Sequence, residues 1–394
     1  MKIKKKHFLW FGILLLTNMP AYLYTNFGVF IGAMALTQYL LLLYVVCMFF
    51  STKGKAFSKM YWMLIAAFLV EYIASLKNPL ALPNVYFKSL IKSVGVWGFM
   101  DQKIRKNGSD FLKVYGLVLS ILITLNLATI ILFPSGMYTS GAYTNCYFLG
   151  YDNTHIVVQL PALCMLALIA QESKQFHRLF WMTLIIVIIS QAITFSATSI
   201  VGMAVFVVGL LLLRYGKEKS KLRNLLFVRP LVSFAAFGAV TTGLVSGSLL
   251  LYFQDIFLNV FHKDATLSSR TRIWLNSLEH IRQRPLWGYG YEDSSIVNSQ
   301  LVNVLGQTGW GGSSHNTYLW ILFLGGVILF AVVTVMFVML DIRVGKCINR
   351  KAQIIKLWII VVLLMGLVES HYDGLLFTAL IVGYNFPWQS EELQ

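Results

Sequence analysis

The chain has 394 residues, 57% hydrophobic and 12% charged. Soluble domains carry about 25% charged residues, so the composition excludes a string of water-soluble domains and indicates a polytopic membrane protein. The net charge of +16 is not a nucleic-acid signature, because its cations fall where a membrane topology requires them. Cys47, Cys146, Cys164 and Cys347 have neither disulfide nor metal-ligand spacing.

A membrane-crossing helix needs about 20 apolar residues. The opening "MKIKKKHFLWFGILLL" has a basic cap but no small-x-small cleavage site, and a second apolar run follows at once, so it reads as a retained span. About twelve stretches qualify: 7–26, 28–50, 60–76, 83–100, 111–133, 155–170, 179–196, 198–214, 230–252, 316–340, 356–370 and 374–388. With the amino terminus inside, the cytoplasmic connections hold 24 of the 32 lysines and arginines, as the positive-inside rule requires. The expectation is an all-α bundle, one integral membrane domain over 1–394 without internal repeats. Lys88 and Lys92 share one face of the fourth span, and Glu71 on the third is their expected partner. Intramembrane charges are costly and usually functional.

One outer connection breaks the pattern. Residues 254–315 form a long loop with Lys263, Arg270, Arg272, Arg282 and Arg284, and long loops on minimal scaffolds carry function. Within it, "DATLSSRTRIWLNSLEHIRQRP" reads as an amphipathic helix capped by Ser268 or Ser269 and stopped by Pro285. At about 100° per residue, Trp274, Ile281 and Arg284 fall on the side of Arg270, whereas Arg272 points away with Asn276 and Glu279. A cation in a first helical turn opposes the dipole unless an anion sits beside it. The plainer readings are an arginine that snorkels to water or one paired with Asp264 or Glu292. In "PLWGYGYEDSS", Gly288 and Gly290 allow a tight turn, and Glu292 and Asp293 pair with arginines more readily than they form a base or metal site.

"GGSSHNTYLW" opens the next span. Ser313 or Ser314 as N-cap places His315 in the first turn, where the dipole favours the uncharged imidazole, the form a general base needs. Asn316 follows it. "VESHYDG" adds Glu369, His371 and Asp373 at an outer helix end, with a spacing that suits acceptor binding or structural hydrogen bonds better than a metal.

Taken together, "R-x-x-x-W" (Arg270 to Trp274), "RPLWGYG" and "HNTYL" resemble the O-antigen ligase and Wzy-type polysaccharide polymerase superfamily. "YFLGYDNTH" (147–155), which holds Asn153, and "SATS" (196–199) sit where related polymerases carry outer-face segments. The resemblance implies a GT-C-like helical fold in the cytoplasmic membrane of a bacterium, active on the outer side. It implies a glycosyltransferase polymerising undecaprenyl-diphosphate-linked repeat units into a capsular, exo- or O-antigen polysaccharide. Donor and acceptor are then both lipid-linked oligosaccharides, with polysaccharide export and chain-length proteins as further partners and neither metal nor cofactor. His315 matches the catalytic histidine and Arg270 the loop arginine. Ligases of the family commonly carry a second phosphate-binding arginine in the turn that here reads "TFSATSIVG". This chain has none, which leaves Arg272, Arg284, Lys88 or Lys92 as replacements. Asn316, Asn153, Glu369 and His371 are expected to bind substrate. Two other readings stand beside the polymerase: a ligase moving a finished glycan, and a flippase or other transporter of lipid-linked oligosaccharide.

Overall fold

The computed structural model describes residues 5–141, 143–215, 227–246, 270–302, 312–372 and 374–386. The expected cap at Ser268 or Ser269, together with Lys263, Asp264 and Asp373, lies outside these residues. The apolar runs form helices because a lipid environment offers backbone N–H and C=O groups no partners but one another. The chain is a multi-pass, all-α membrane protein.

The first expected span is two helices, α1 (Lys5–Thr17) and α2 (Ala21–Asn26). Pro20, which has no N–H to donate, stands at the break. Next come α3 (Gly28–Thr52) and α4 (Lys59–Lys77). The element α5 (Pro83–Leu132) has 50 residues, about 75 Å at 1.5 Å per residue and far longer than a bilayer is thick. It leaves helical geometry at Asn107 and holds both the fourth and the fifth expected spans.

A small antiparallel meander follows, β1 (Tyr138–Ser140), β2 (Tyr143–Tyr147) and β3 (Gly150–Tyr151). The sequence reading contains no strand there. A 3-10 turn over Asp152–Thr154 leads into α6 (Ile156–Ile169), then α7 (Lys174–Thr194), α8 (Ala197–Tyr215) and α9 (Pro230–Val245). The loop contributes α10 (Arg270–Gln283) and α11 (Ser294–Leu301). The chain closes with α12 (Thr317–Val344), α13 (Arg350–Met365) and α14 (Gly374–Asn385). Among the described residues seven helices are long and apolar enough to cross a membrane, and α9 and α14 are shorter apolar helices. The expected twelve stretches therefore divide between these long helices, one of which holds two of them, and shorter helices at the remaining positions.

Helices α13 and α14 form the centre and are buried nearly all round, with Trp358, Leu363, Phe377 and Leu380 among their buried residues. Helices α3 and α7 instead turn Leu40, Leu43, Ile185 and Ile188 outward, the pattern of a lipid-facing rim. Charges gather at the basic end of the bundle, where Lys6 meets Asp110 at 3.2 Å and Lys113 meets Glu172 at 2.7 Å. Arg229 grips Asp341 there through Nε at 3.0 Å.

One break in the bundle positions the loop. Helix α12 leaves helical geometry at Gly326, whose φ is +61°. Residues 285–290, a turn followed by irregular backbone, run into the gap as a strap. Tyr289 N donates to Phe323 O and Gly290 N to Leu324 O, both at 2.8 Å, while Val327 N donates to Pro285 O at 2.8 Å. Backbone groups orphaned by the break are thus satisfied by the strap, the condition for irregular backbone among membrane helices. A Cβ on Gly288 would meet Phe323 O at 2.4 Å, and one on Gly326 would meet Leu286 C at 2.4 Å. The glycines of "RPLWGYG" and "LGG" are there for this close approach.

Candidate functional site

The amphipathic helix forms as expected: α10 buries Ile273, Trp274 and Ile281 and starts at Arg270. Trp274 lies one turn from Arg270, and its indole Nε1 donates to the His315 carbonyl at 3.3 Å. Ser277 Oγ donates to Ser314 Oγ at 3.0 Å. The "R-x-x-x-W" spacing thus fastens the helix to the stretch before α12 and puts Arg270 and His315 on the same side.

The start of α12 differs from expectation. Asn316 is the N-cap: its Oδ1 accepts from Tyr318 N at 3.0 Å and Leu319 N at 3.1 Å. Its Nδ2 donates to Leu367 O at 2.9 Å, so the fully buried amide is engaged on both sides. Asparagine outranks most residues at this position because its oxygen reaches the second and third free N–H groups. His315 therefore precedes the helix rather than opening it, and the dipole argument for its ring does not hold. Its backbone is left-handed, φ +46°, a conformation in which histidine is enriched several-fold among non-glycine residues. Ser313 Oγ supports it by accepting from His315 N at 3.3 Å.

Glu369 joins the two expected catalytic residues. Its Oε1 accepts from Arg270 Nη2 at 2.5 Å, and its Oε2 lies 3.0 Å from His315 Nδ1. Arg270, His315 and Glu369 are 21%, 24% and 14% exposed, partly shielded yet open to a substrate. Burial pushes the Glu369 carboxyl up, but the His315 hydrogen bond and the Arg270, His315 and His371 charges outweigh it, so its pKa falls below the ordinary value. An ionised acceptor on Nδ1 fixes the proton there and leaves Nε2 with its lone pair. The partner of Arg270 is thus neither of the carboxylates first considered. Asp264 lies outside the described residues. Glu292 accepts from Asn78 Nδ2 at 2.6 Å and Gln300 Nε2 at 3.3 Å, and Asp293 caps α11 through Ser295 N at 2.9 Å.

Glu369 is held rigidly. Thr317 N donates to Gly366 O at 2.7 Å, Thr317 Oγ1 donates to Glu369 O at 3.1 Å, and His371 N donates to Thr317 Oγ1 at 3.0 Å. Tyr372 OH reaches Glu71 Oε1 at 2.5 Å, and Tyr86 OH reaches Glu71 Oε2 at 2.9 Å. Glu71, expected to partner Lys88 and Lys92, instead ties α4 and α5 to the loop behind Glu369. Lys88 is exposed and Lys92 lies over the Tyr39 ring at 5.5 Å.

Of the other expected site residues, Asn153 joins the group. Its Nδ2 donates to Glu369 Oε1 at 3.3 Å, and its Oδ1 accepts from Ser196 Oγ at 2.6 Å. Ser196 Oγ also lies 2.9 Å from Ser199 Oγ, so hydroxyls occupy the turn in which ligases commonly carry an arginine. Arg272 turns to the Val302 carbonyl at 3.3 Å. Arg284 does not converge with Arg270: fourteen residues of helix, about 21 Å, separate them, and its guanidinium stacks 5.1 Å from the Tyr289 ring centre. Beside Asn153, Tyr143 and Tyr151 stack in parallel at 3.9 Å. Tyr151, Thr317 and Tyr372 lay within "YFLGYDNTH", "HNTYL" and "VESHYDG" without being singled out, and Ser196 and Ser199 lay in "SATS"; Tyr143 alone fell outside every motif. Among the described residues no group of three His, Cys, Asp or Glu is placed to hold a metal ion.

Similarity to known proteins bears on the same region. The O-antigen ligase family model matches residues 181–334, a range that includes Ser196, Arg270 and His315 but not Asn153 or Glu369. A ComP-specific O-oligosaccharyltransferase of Acinetobacter baylyi is 21% identical over 207 residues, 52% of this chain. The aligned part spans only 36% of that relative's length. The loop motifs and the helical membrane fold agree with the matched segment: residues 181–334 of this multi-pass chain are similar to the O-antigen ligase family.

Proposed function

We propose that the chain is a membrane glycosyltransferase that moves a glycan from a lipid diphosphate to an acceptor hydroxyl in a single transfer, at the end of the bundle opposite its basic segments. The observation that carries this reading is the Glu369 carboxylate bonded at once to Arg270 and His315. Arginine has five donors in a planar fork, so Arg270 keeps one on Glu369 and offers the rest to the diphosphate. Charge develops there as the sugar C1–O bond breaks. His315 Nε2 takes the acceptor proton as its oxygen bonds to C1 from the face opposite the leaving diphosphate, inverting the anomeric carbon. Glu369 balances the imidazolium that forms. The parallel face of Tyr143 on Tyr151 offers an aromatic surface against which a sugar ring packs.

Single transfer is favoured because the matched family is described as O-antigen ligase and the relative is named an oligosaccharyltransferase. The polymerase reading uses the same site with a second lipid-linked unit as acceptor. It draws support from the Asn153 bond to Glu369 and from the hydroxyls in place of the turn arginine. The test is transfer by the purified full chain in detergent, given a lipid-diphosphate oligosaccharide and a panel of acceptors. A product of one size supports single transfer, and a ladder spaced by one unit supports polymerisation. An intact donor after incubation with every acceptor, including a second lipid-linked unit, overturns both.

A further inference from the structure

At the basic end of the bundle, far from Glu369, a cavity of about 270 Å³ opens between α6, α7, α8 and α13. Its walls are apolar, with Phe180 and Leu184 from α7, Leu210 from α8 and Ile354 from α13. Its mouth is polar and cationic, formed by His177, Arg214 and Arg350. These three come from different connections of the set that holds most of the chain's cations, yet they meet at one opening. Among the described residues no carboxylate lines it. The neighbouring Glu172 is engaged by Lys113 at 2.7 Å and by Ser109.

The donors are prepared for an anion. With the Gln171 amide turned so that its oxygen faces the donors of Arg350, that oxygen accepts from Nε at 3.1 Å and one terminal nitrogen at 2.9 Å, which orients the guanidinium and leaves its other terminal nitrogen to donate elsewhere. Trp181 Nε1 donates to His177 Nε2 at 3.1 Å. That bond makes Nε2 the acceptor and puts the neutral ring's proton on Nδ1, giving the mouth a further donor. The indole lies near the basic end of α7, and tryptophan is enriched at the ends of membrane helices, at the level of lipid headgroups.

We infer that this cavity binds an anionic glycerophospholipid of the inner leaflet, with its phosphodiester on Arg214 and Arg350 and the upper part of one acyl chain along Phe180, Leu184 and Leu210. Basic pockets between membrane helices on the cytoplasmic side recognise such headgroups, and the arginine fork matches a phosphate. The apolar wall selects a lipid over a soluble phosphate, which gains nothing from it. The site is independent of the transfer chemistry.

The experiment is native mass spectrometry of the full chain titrated with phosphatidylglycerol or phosphatidylcholine, with inorganic phosphate as competitor. The expected result is about tenfold tighter binding of phosphatidylglycerol. Arg214→Gln/Arg350→Gln is expected to bring the two lipids within about twofold, and Leu210→Trp to weaken both by filling the groove. Equal binding of the two lipids by the unaltered chain overturns the inference. Displacement of phosphatidylglycerol by millimolar phosphate also overturns it, in favour of a soluble phosphoanion. Should the double arginine variant melt early in detergent, Leu210→Trp alone decides: unchanged lipid occupancy in that variant refutes the acyl-chain seat.

Discussion

Glu369→Gln keeps the side chain's shape and removes its charge. The carboxylate accepts from Arg270 at 2.5 Å on one oxygen and faces His315 Nδ1 at 3.0 Å with the other. A glutamine has one acceptor and one donor end. With its oxygen on Arg270, its NH₂ meets Nδ1, and the imidazole must then accept there and carry its proton on Nε2. The base is left in the wrong tautomer, which removes a contribution of about 10²–10⁴-fold. We expect kcat to fall about 10³-fold, and donor KM to change by less than about fivefold because Arg270 keeps its bond. The assay is the same transfer reaction under saturating donor, with a melting curve of each variant as the folding control. Glu369→Gln/His315→Ala should be no slower than His315→Ala, because both substitutions disable one unit. A Glu369→Gln chain within about threefold of the unaltered rate, or losses that multiply in the double variant, would refute the reasoning.

Three further outcomes are expected. Gly288→Ala forces a Cβ to within 2.4 Å of Phe323 O at a φ of +64°, so it should cost about 2–3 kcal/mol and lower the melting temperature by roughly 2–4 °C; an unchanged melt contradicts the strap. The folded pKa of Glu369 is depressed, so its contribution to stability is present above the ordinary carboxylate range and lost only as pH falls through the lowered value. The melting difference between the unaltered chain and Glu369→Gln should therefore stay constant from about pH 7 to about pH 5, and a difference that collapses by about pH 6 contradicts this assignment. Lys88→Gln and Lys92→Gln should leave the transfer rate within about twofold, and a large loss in either would restore the lysines as diphosphate ligands.

The sequence already contained the elements that lie along one helix. Hydropathy located each apolar stretch, and the period of "SSRTRIWLNSLEHIRQ" put Arg270 with Trp274 and left Arg272 to face elsewhere. What joins elements far apart in the chain was hidden. Glu369 was visible as a polar residue at a helix end, but its position between Arg270 and His315 depends on how residues 366–372 fold back over Thr317, and no local pattern encodes that. The cap of α12 was misplaced because serine and asparagine are equally good caps, and only the burial of Asn316 against Leu367 decides between them. Arg284 was grouped with Arg270 because a helical wheel discards distance along the axis. The interruption at Gly326 is signalled only by two glycines in an unbroken apolar run, since the strap that repairs it lies about forty residues earlier in the chain.

The strap at 285–290 and the clasp of Trp274 and Ser277 on the stretch before α12 also determine what can be exchanged between relatives. Fastened at both places, residues 270–302 and the first half of α12 behave as one cassette. A chimaera that imports a foreign loop without the matching 312–328 leaves the break in α12 unrepaired and His315 unsupported. One that imports the two together, with residues 366–372, carries Arg270, His315 and Glu369 from one scaffold to another.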